Sequence, residues 1–186
     1  METYLEYAAV VFGVVYVLLA SRGNVWCWLA GVISSALYIY INVTHQLFQD
    51  AILQAYYVVA GFYGWWLWSK KGNAEDEVSI SSFSLPQNLK LIFFGALLVP
   101  VFGFVFAKLG NSLSYFDAAV TVFSFIATWM TAKKILESWL YWIVIDVVAA
   151  IMYLIKDLRA TSCLYLFFSV VAVYGYFEWK KKMSAA

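Results

Sequence analysis

The stretch Tyr57-Val58-Val59-Ala60-Gly61-Phe62-Tyr63-Gly64-Trp65-Trp66-Leu67-Trp68-Ser69-Lys70 returns later in the chain as Phe168-Ser169-Val170-Val171-Ala172-Val173-Tyr174-Gly175-Tyr176-Phe177-Glu178-Trp179-Lys180-Lys181. The shared Tyr-Gly-aromatic-x-x-Trp falls at a constant offset. Each copy is an apolar run closing in tryptophan and lysine, as a helix does where hydrocarbon gives way to water. A second pair of marks accompanies the first. Trp26-x-Trp28 and Trp139-x-x-Trp142 each open an apolar run, and each is followed about eleven residues later by a tyrosine, Tyr38 or Tyr153.

Outward from these copies, 65% of the 186 residues are apolar and 12% are charged, which is not the balance of a soluble globular domain. A hydrocarbon core of about 30 Å takes roughly 20 helical residues to cross, so the chain has room for about seven spans. Apolar runs place them near 4–20, 25–42, 51–69, 88–107, 114–132, 136–155 and 160–179. The fold expected is an all-α membrane protein of two parallel three-helix repeats joined by one linking helix, a 3+1+3 arrangement. Residues 1–69 form the first repeat, 70–113 a polar linker and helix four, 114–182 the second repeat, and 183–186 a tail.

The start Met1-Glu2-Thr3-Tyr4 lacks the basic region of a signal peptide, so the first helix is expected to stay in the mature protein. With the N-terminus outside, Arg22, Lys70, Lys71, Lys90, Lys133, Lys134 and Lys180–Lys182 lie on the cytoplasmic side, against Lys108, Lys156 and Arg159 outside. The positive-inside rule favours that orientation, with the C-terminus in the cytoplasm. Scattered in this way at the ends of runs, the basic residues make no patch for nucleic acid.

Cys27 and Cys163 lie inside apolar runs with no CxxC pair, and read as small core residues rather than a disulfide or metal site. Neither a phosphate-cradling glycine loop nor a nucleophile elbow is present, so no cofactor, metal or enzymatic activity is expected. His45 stands in a short loop, and the sequon Asn42-Val43-Thr44 abuts the membrane; neither carries weight.

Polar side chains inside spans are the informative ones, because a carboxylate in hydrocarbon is costly and marks a functional interior. Asp117, Thr121, Ser124 and Thr128 fall on one helical face of span five. Such a stripe lines a pathway, or it serves close helix packing and hydrogen bonds back to its own helix. On span six, Trp139, Trp142 and Asp146 share a face, with Glu137 and Ser138 at its start. Indole faces beside an interior acid suit a cationic ring. Gln54 on span three can donate and accept toward a polar solute or toward another helix. Trp65, Trp66, Trp68 and Trp179 suit an interfacial belt.

Trp26-Cys27-Trp28-Leu29-Ala30-Gly31 with Tyr38, Gln54-x-x-Tyr57 leading to Tyr63-Gly64-Trp65-x-x-Trp68, and Lys134-x-x-Glu137-x-Trp139-x-x-Trp142-x-x-x-Asp146 together resemble the PnuC-type vitamin transporters over nearly the whole chain. The resemblance implies a bacterial inner-membrane protein with a SWEET-like fold. It implies facilitated uptake of nicotinamide riboside, a small cationic heteroaromatic vitamin, with trapping by a cytosolic kinase, and a homotrimer surrounded by membrane lipid. Ser138 stands where nicotinamide riboside members carry asparagine, which leaves thiamine as second substrate. The site then expected joins Gln54, Tyr57, Asp117, Thr121, Ser124, Glu137, Ser138, Trp139, Trp142 and Asp146. A non-transporting membrane sensor or assembly subunit is the alternative from another class.

Overall fold

The computed structural model describes residues 2–45, 48–70, 79–109, 114–155 and 157–185. Met1, the acidic part of the linker with Lys71, the boundary at 110–113, Lys156 and Ala186 lie outside the described residues. Seven helices follow in order: α1 (Glu2–Ser21), α2 (Trp26–Thr44), α3 (Phe48–Ser69), α4 (Leu85–Lys108), α5 (Ser114–Ala132), α6 (Ser138–Ile155) and α7 (Arg159–Ala185). Six of them are long and apolar enough to cross a membrane. α3 is not among those six, although it has 22 residues. Gln54 and a dense run of tyrosine and tryptophan dilute its aliphatic content.

Short turns fix the order of packing. The chain leaves α1 through Gly23 at φ +69°, a left-handed conformation open to glycine, and Gly23 N–H returns to the Ala20 carbonyl at 2.8 Å. Asn24 then accepts the Trp26 N–H through its side chain at 3.0 Å, which satisfies one of the free donors at the start of α2. Lys134 takes the same left-handed turn between α5 and α6, at φ 52°. α4 begins with a capping box, in which the Gln87 side chain accepts the Ser84 N–H at 2.8 Å, and Pro86 occupies its first turn, where no N–H is needed.

α2 packs between α1 and α3, α6 packs between α5 and α7, and α4 lies against α5. The two sets meet where α1 touches α7 and α3 touches α5. α4 turns Phe93, Leu97, Val101 and Phe104 outward, as a lipid-facing helix must. The buried centre contains few large aliphatics. One buried cluster, at one end of the bundle, is made from Ala20, Cys27, Trp28, Leu67, Ala132, Leu136, Trp139, Ala172 and Trp179.

That end holds four indoles in a row. Trp28 meets Trp68 edge-on with centroids 5.4 Å apart, Trp68 meets Trp179 at 5.9 Å, and Trp179 meets Trp139 edge-on at 5.4 Å. Glycine makes room for both outer rings: a Cβ on Gly64 would stand 2.3 Å from the Trp28 ring, and one on Gly175 2.8 Å from the Trp139 ring. The inner indoles donate across the molecule. Trp68 Nε1–H bonds the Ala132 carbonyl at the end of α5 (2.9 Å), and Trp179 Nε1–H bonds the Ala20 carbonyl at the end of α1 (3.1 Å). The Ala20 carbonyl also accepts the Gly23 N–H, whereas the Ala132 carbonyl is one of the C-terminal groups a helix leaves without an intrahelical donor.

Candidate functional site

A second, polar cluster lies deeper in the bundle. Tyr57 of α3, Ser124 of α5 and Asp146 of α6 each stand near the midpoint of their own helix. The Tyr57 and Ser124 side chains are hydrogen-bonded to each other, and Asp146 lies within electrostatic reach of Tyr57. α7 adds Tyr165, which is near Asp146 and Tyr57 and is hydrogen-bonded to Tyr153 of α6. The Tyr153 and Tyr165 rings stack at 20° with centroids 5.2 Å apart. Beside them, the Tyr56 hydroxyl donates to the Phe125 carbonyl at 2.8 Å and ties α3 to α5.

Asp146 is the exceptional member. Its side chain is 5% exposed, and among the described residues it has no hydrogen-bond partner and no counter-cation. A buried carboxylate without a partner carries a desolvation cost that nothing in the protein offsets. Membrane interiors keep such groups for the solutes or ions they handle.

The expected site residues divide between this cluster, the indole end and the surface between them. Tyr57, Ser124 and Asp146 come together. Asp117 lies half-buried in the first turn of α5, within reach of Tyr153. Gln54 is half-buried and makes no hydrogen bond among the described residues. Thr121 lines an apolar cavity of about 380 Å³ between α3, α4 and α5, along with Ile52, Phe102, Phe106 and Phe125. Thr128 donates to the Ser124 carbonyl of its own helix at 2.8 Å, the packing role open to such residues.

The start of α6 is engaged elsewhere. Glu137 accepts the Ser82 hydroxyl at 2.5 Å and the Phe83 N–H at 2.8 Å, fastening the segment before α4 onto the α5–α6 turn. The same turn gains backbone bonds from Ser81 N–H to Lys134 and from Leu136 N–H to Ser81. Trp142 Nε1–H donates to the Thr131 hydroxyl at 3.1 Å. Trp139 is an outer ring of the indole row, and its N–H, the Ser138 hydroxyl and the Trp28 N–H are buried without partners among the described residues. Asp146 lies two helical turns from Ser138, or about 12 Å along the axis.

Tyr153 and Tyr165 were not among the site residues expected from sequence. A signal for Tyr165 was present: at the offset of the repeat it falls on Gln54, a residue already singled out.

Comparison with known proteins agrees with this architecture. A crystal structure of the vitamin B3 transporter PnuC shares the fold, with a TM-score of 0.81 at 24% identity over 98% of this chain and 83% of that one. The nicotinamide riboside transporter PnuC of Escherichia coli is 25% identical over 203 residues, covering 95% of this chain and 85% of that protein. Its counterpart in Neisseria mucosa is 26% identical over 192 residues, covering 97% and 73%. The riboflavin/roseoflavin transporter RibM of Streptomyces davaonensis is 22% identical over 178 residues, covering 91% and 81%. The family model described as nicotinamide mononucleotide transporter matches residues 3–181. The chain therefore belongs to that family, which includes the PnuC proteins, and it is a multi-pass membrane transporter rather than an enzyme.

Proposed function

We propose that this transporter carries nicotinamide riboside into a bacterial cell across the inner membrane by facilitated diffusion. The observation that carries the reading is Asp146, a buried carboxyl without a partner among the described residues, near the hydroxyls of Tyr57 and Tyr165, with Ser124 bonded to Tyr57. A pyridinium ring supplies the missing positive charge, and a ribose supplies hydroxyls for the surrounding donors and acceptors. The names of the relatives support the same substrate.

In this reading α1–α3 and α5–α7 are two parallel three-helix repeats joined by α4, a SWEET-like plan, and they rock about the midplane cluster to open each side in turn. The matched turns at Gly23 and Lys134 and the matched indoles support it. Gln54, Asp117, Thr121, Trp139 and Trp142 would take part in the wall as the helices move. The N-terminus is outside, as the distribution of lysine and arginine favours. Phosphorylation by a cytosolic kinase would keep the product inside, since a phosphate monoester no longer matches a site built around a carboxylate. A homotrimer within the lipid completes the proposal.

Thiamine, also a flat cationic heteroaromatic, is the second reading, and Ser138 is the residue that favours it. Calorimetric titration of the purified protein in detergent with each vitamin separates the two. Saturable heat with nicotinamide riboside alone is the expected result. Saturable heat with thiamine alone would transfer the assignment, and silence with both from folded protein would end the vitamin reading.

A further inference from the structure

Resting on transport of a cationic nucleoside, we infer that Asp146 makes this site a reader of ligand charge. The site takes the oxidised pyridinium form of a nicotinamide nucleoside and discriminates against the neutral 1,4-dihydro form of the same molecule. The two forms share the ribose and the carboxamide and are nearly the same size. They differ by one hydride and by the charge on the ring.

Hydroxyl groups do not tell these forms apart. Tyr57, Ser124, Tyr153 and Tyr165 offer dipoles that bond ribose and carboxamide equally well in either. Asp146 does tell them apart. Its carboxyl is 5% exposed and has no cation beside it among the described residues, so a cationic ligand brings a charge that those residues do not. A pyridinium ring set against it recovers Coulomb attraction in a medium of low dielectric. A neutral ring in the same place removes the last solvent and sets no charge against the carboxyl. The stacked Tyr153–Tyr165 pair acts in the same direction, because an aromatic face attracts a cation more than a neutral ring.

The first half of the chain shows that the charge is local. At the repeat's offset, Asp146 corresponds to Ser35, buried and uncharged, in a helix with the same tryptophan start. The midspan carboxyl is therefore carried by one helix, with Asp50 and Asp117 nearer the Tyr153 side of the cluster.

The test is calorimetric titration of the full chain in detergent with nicotinamide riboside and, separately, with its 1,4-dihydro form. The wild type should bind the oxidised form on the order of 10- to 100-fold more tightly. Asp146→Asn should close that gap by weakening the oxidised ligand while the reduced one holds or improves, and Asp146→Glu should keep it. If Asp146→Asn does not fold, Asp146→Ser, which copies Ser35, takes its place. Equal binding of both forms by the wild type, or a gap that survives loss of the carboxyl, overturns the inference and leaves the transport reading standing. A wild type that binds neither form overturns that reading itself.

Discussion

The helix pairs α2–α3 and α6–α7 are built on one pattern and used for different ends. Both enter through a left-handed residue, Gly23 or Lys134, and both set a buried tryptophan, Trp28 or Trp139, against a glycine on the next helix. Both then place a second tryptophan edge-on to the first and point its N–H at the other half of the molecule. Deeper in, the likeness ends. Ser35, Asn42 and Gln54 in the first half correspond to Asp146, Tyr153 and Tyr165 in the second. Packing geometry is thus held in duplicate, while the midspan carboxyl and the stacked ring pair are held once. Under the proposed function, the duplicated packing would let the two halves move alike, and the unmatched polar residues would line the path of one small, asymmetric solute.

The largest test of that comparison is at the outer rings. Trp28→Ala and Trp139→Ala should each cost on the order of 3–5 kcal/mol, read as a lowered unfolding transition in detergent, because each empties a fully enclosed indole slot. A large cost at one and a trivial cost at the other would break the equivalence of the halves. Next come the glycines: Gly64→Ala should destabilise by about 1–3 kcal/mol, and Gly175→Ala by less, since its added methyl meets Trp139 from further away. The reverse order would place the tighter seam in the second half. Smallest is the loss of one cross-molecule bond, about 1 kcal/mol for Trp68→Phe or Trp179→Phe in the same melt. Because those two rings touch, the double variant should depart from the sum of the singles; strict additivity would show two independent braces.

Most of the frame was legible in the sequence because membrane helices announce themselves by uninterrupted apolar length and by the aromatic and basic residues at their ends. α3 shows where that signal thins: the tyrosines, tryptophans and glutamine that build its contacts are the residues that lower its hydropathy. The candidate site was legible in fragments. Asp146, Ser124 and Tyr57 stand out as polar groups in apolar runs, and the structure brings these three together. Trp139 and Glu137 stand out just as strongly. Whether an indole faces a solute or another indole depends on the rotation of α6 against α7, which one helix's periodicity does not contain. Glu137 is answered by Ser82 and the Phe83 backbone, over fifty residues away in sequence and joined to it only by tertiary structure. Tyr165 escaped notice because tyrosine in an aromatic-rich helix looks like packing.

The indole row also has an optical consequence. With neighbouring centroids 5.4 to 5.9 Å apart, the four rings share an excitation instead of absorbing as separate chromophores. Light taken up by any of them reaches its neighbours before it is emitted, so a change at one ring dims the set. The row lies at one end of the bundle, away from the midplane carboxyl. Emission from this row therefore registers how the two halves sit against each other at that end of the bundle.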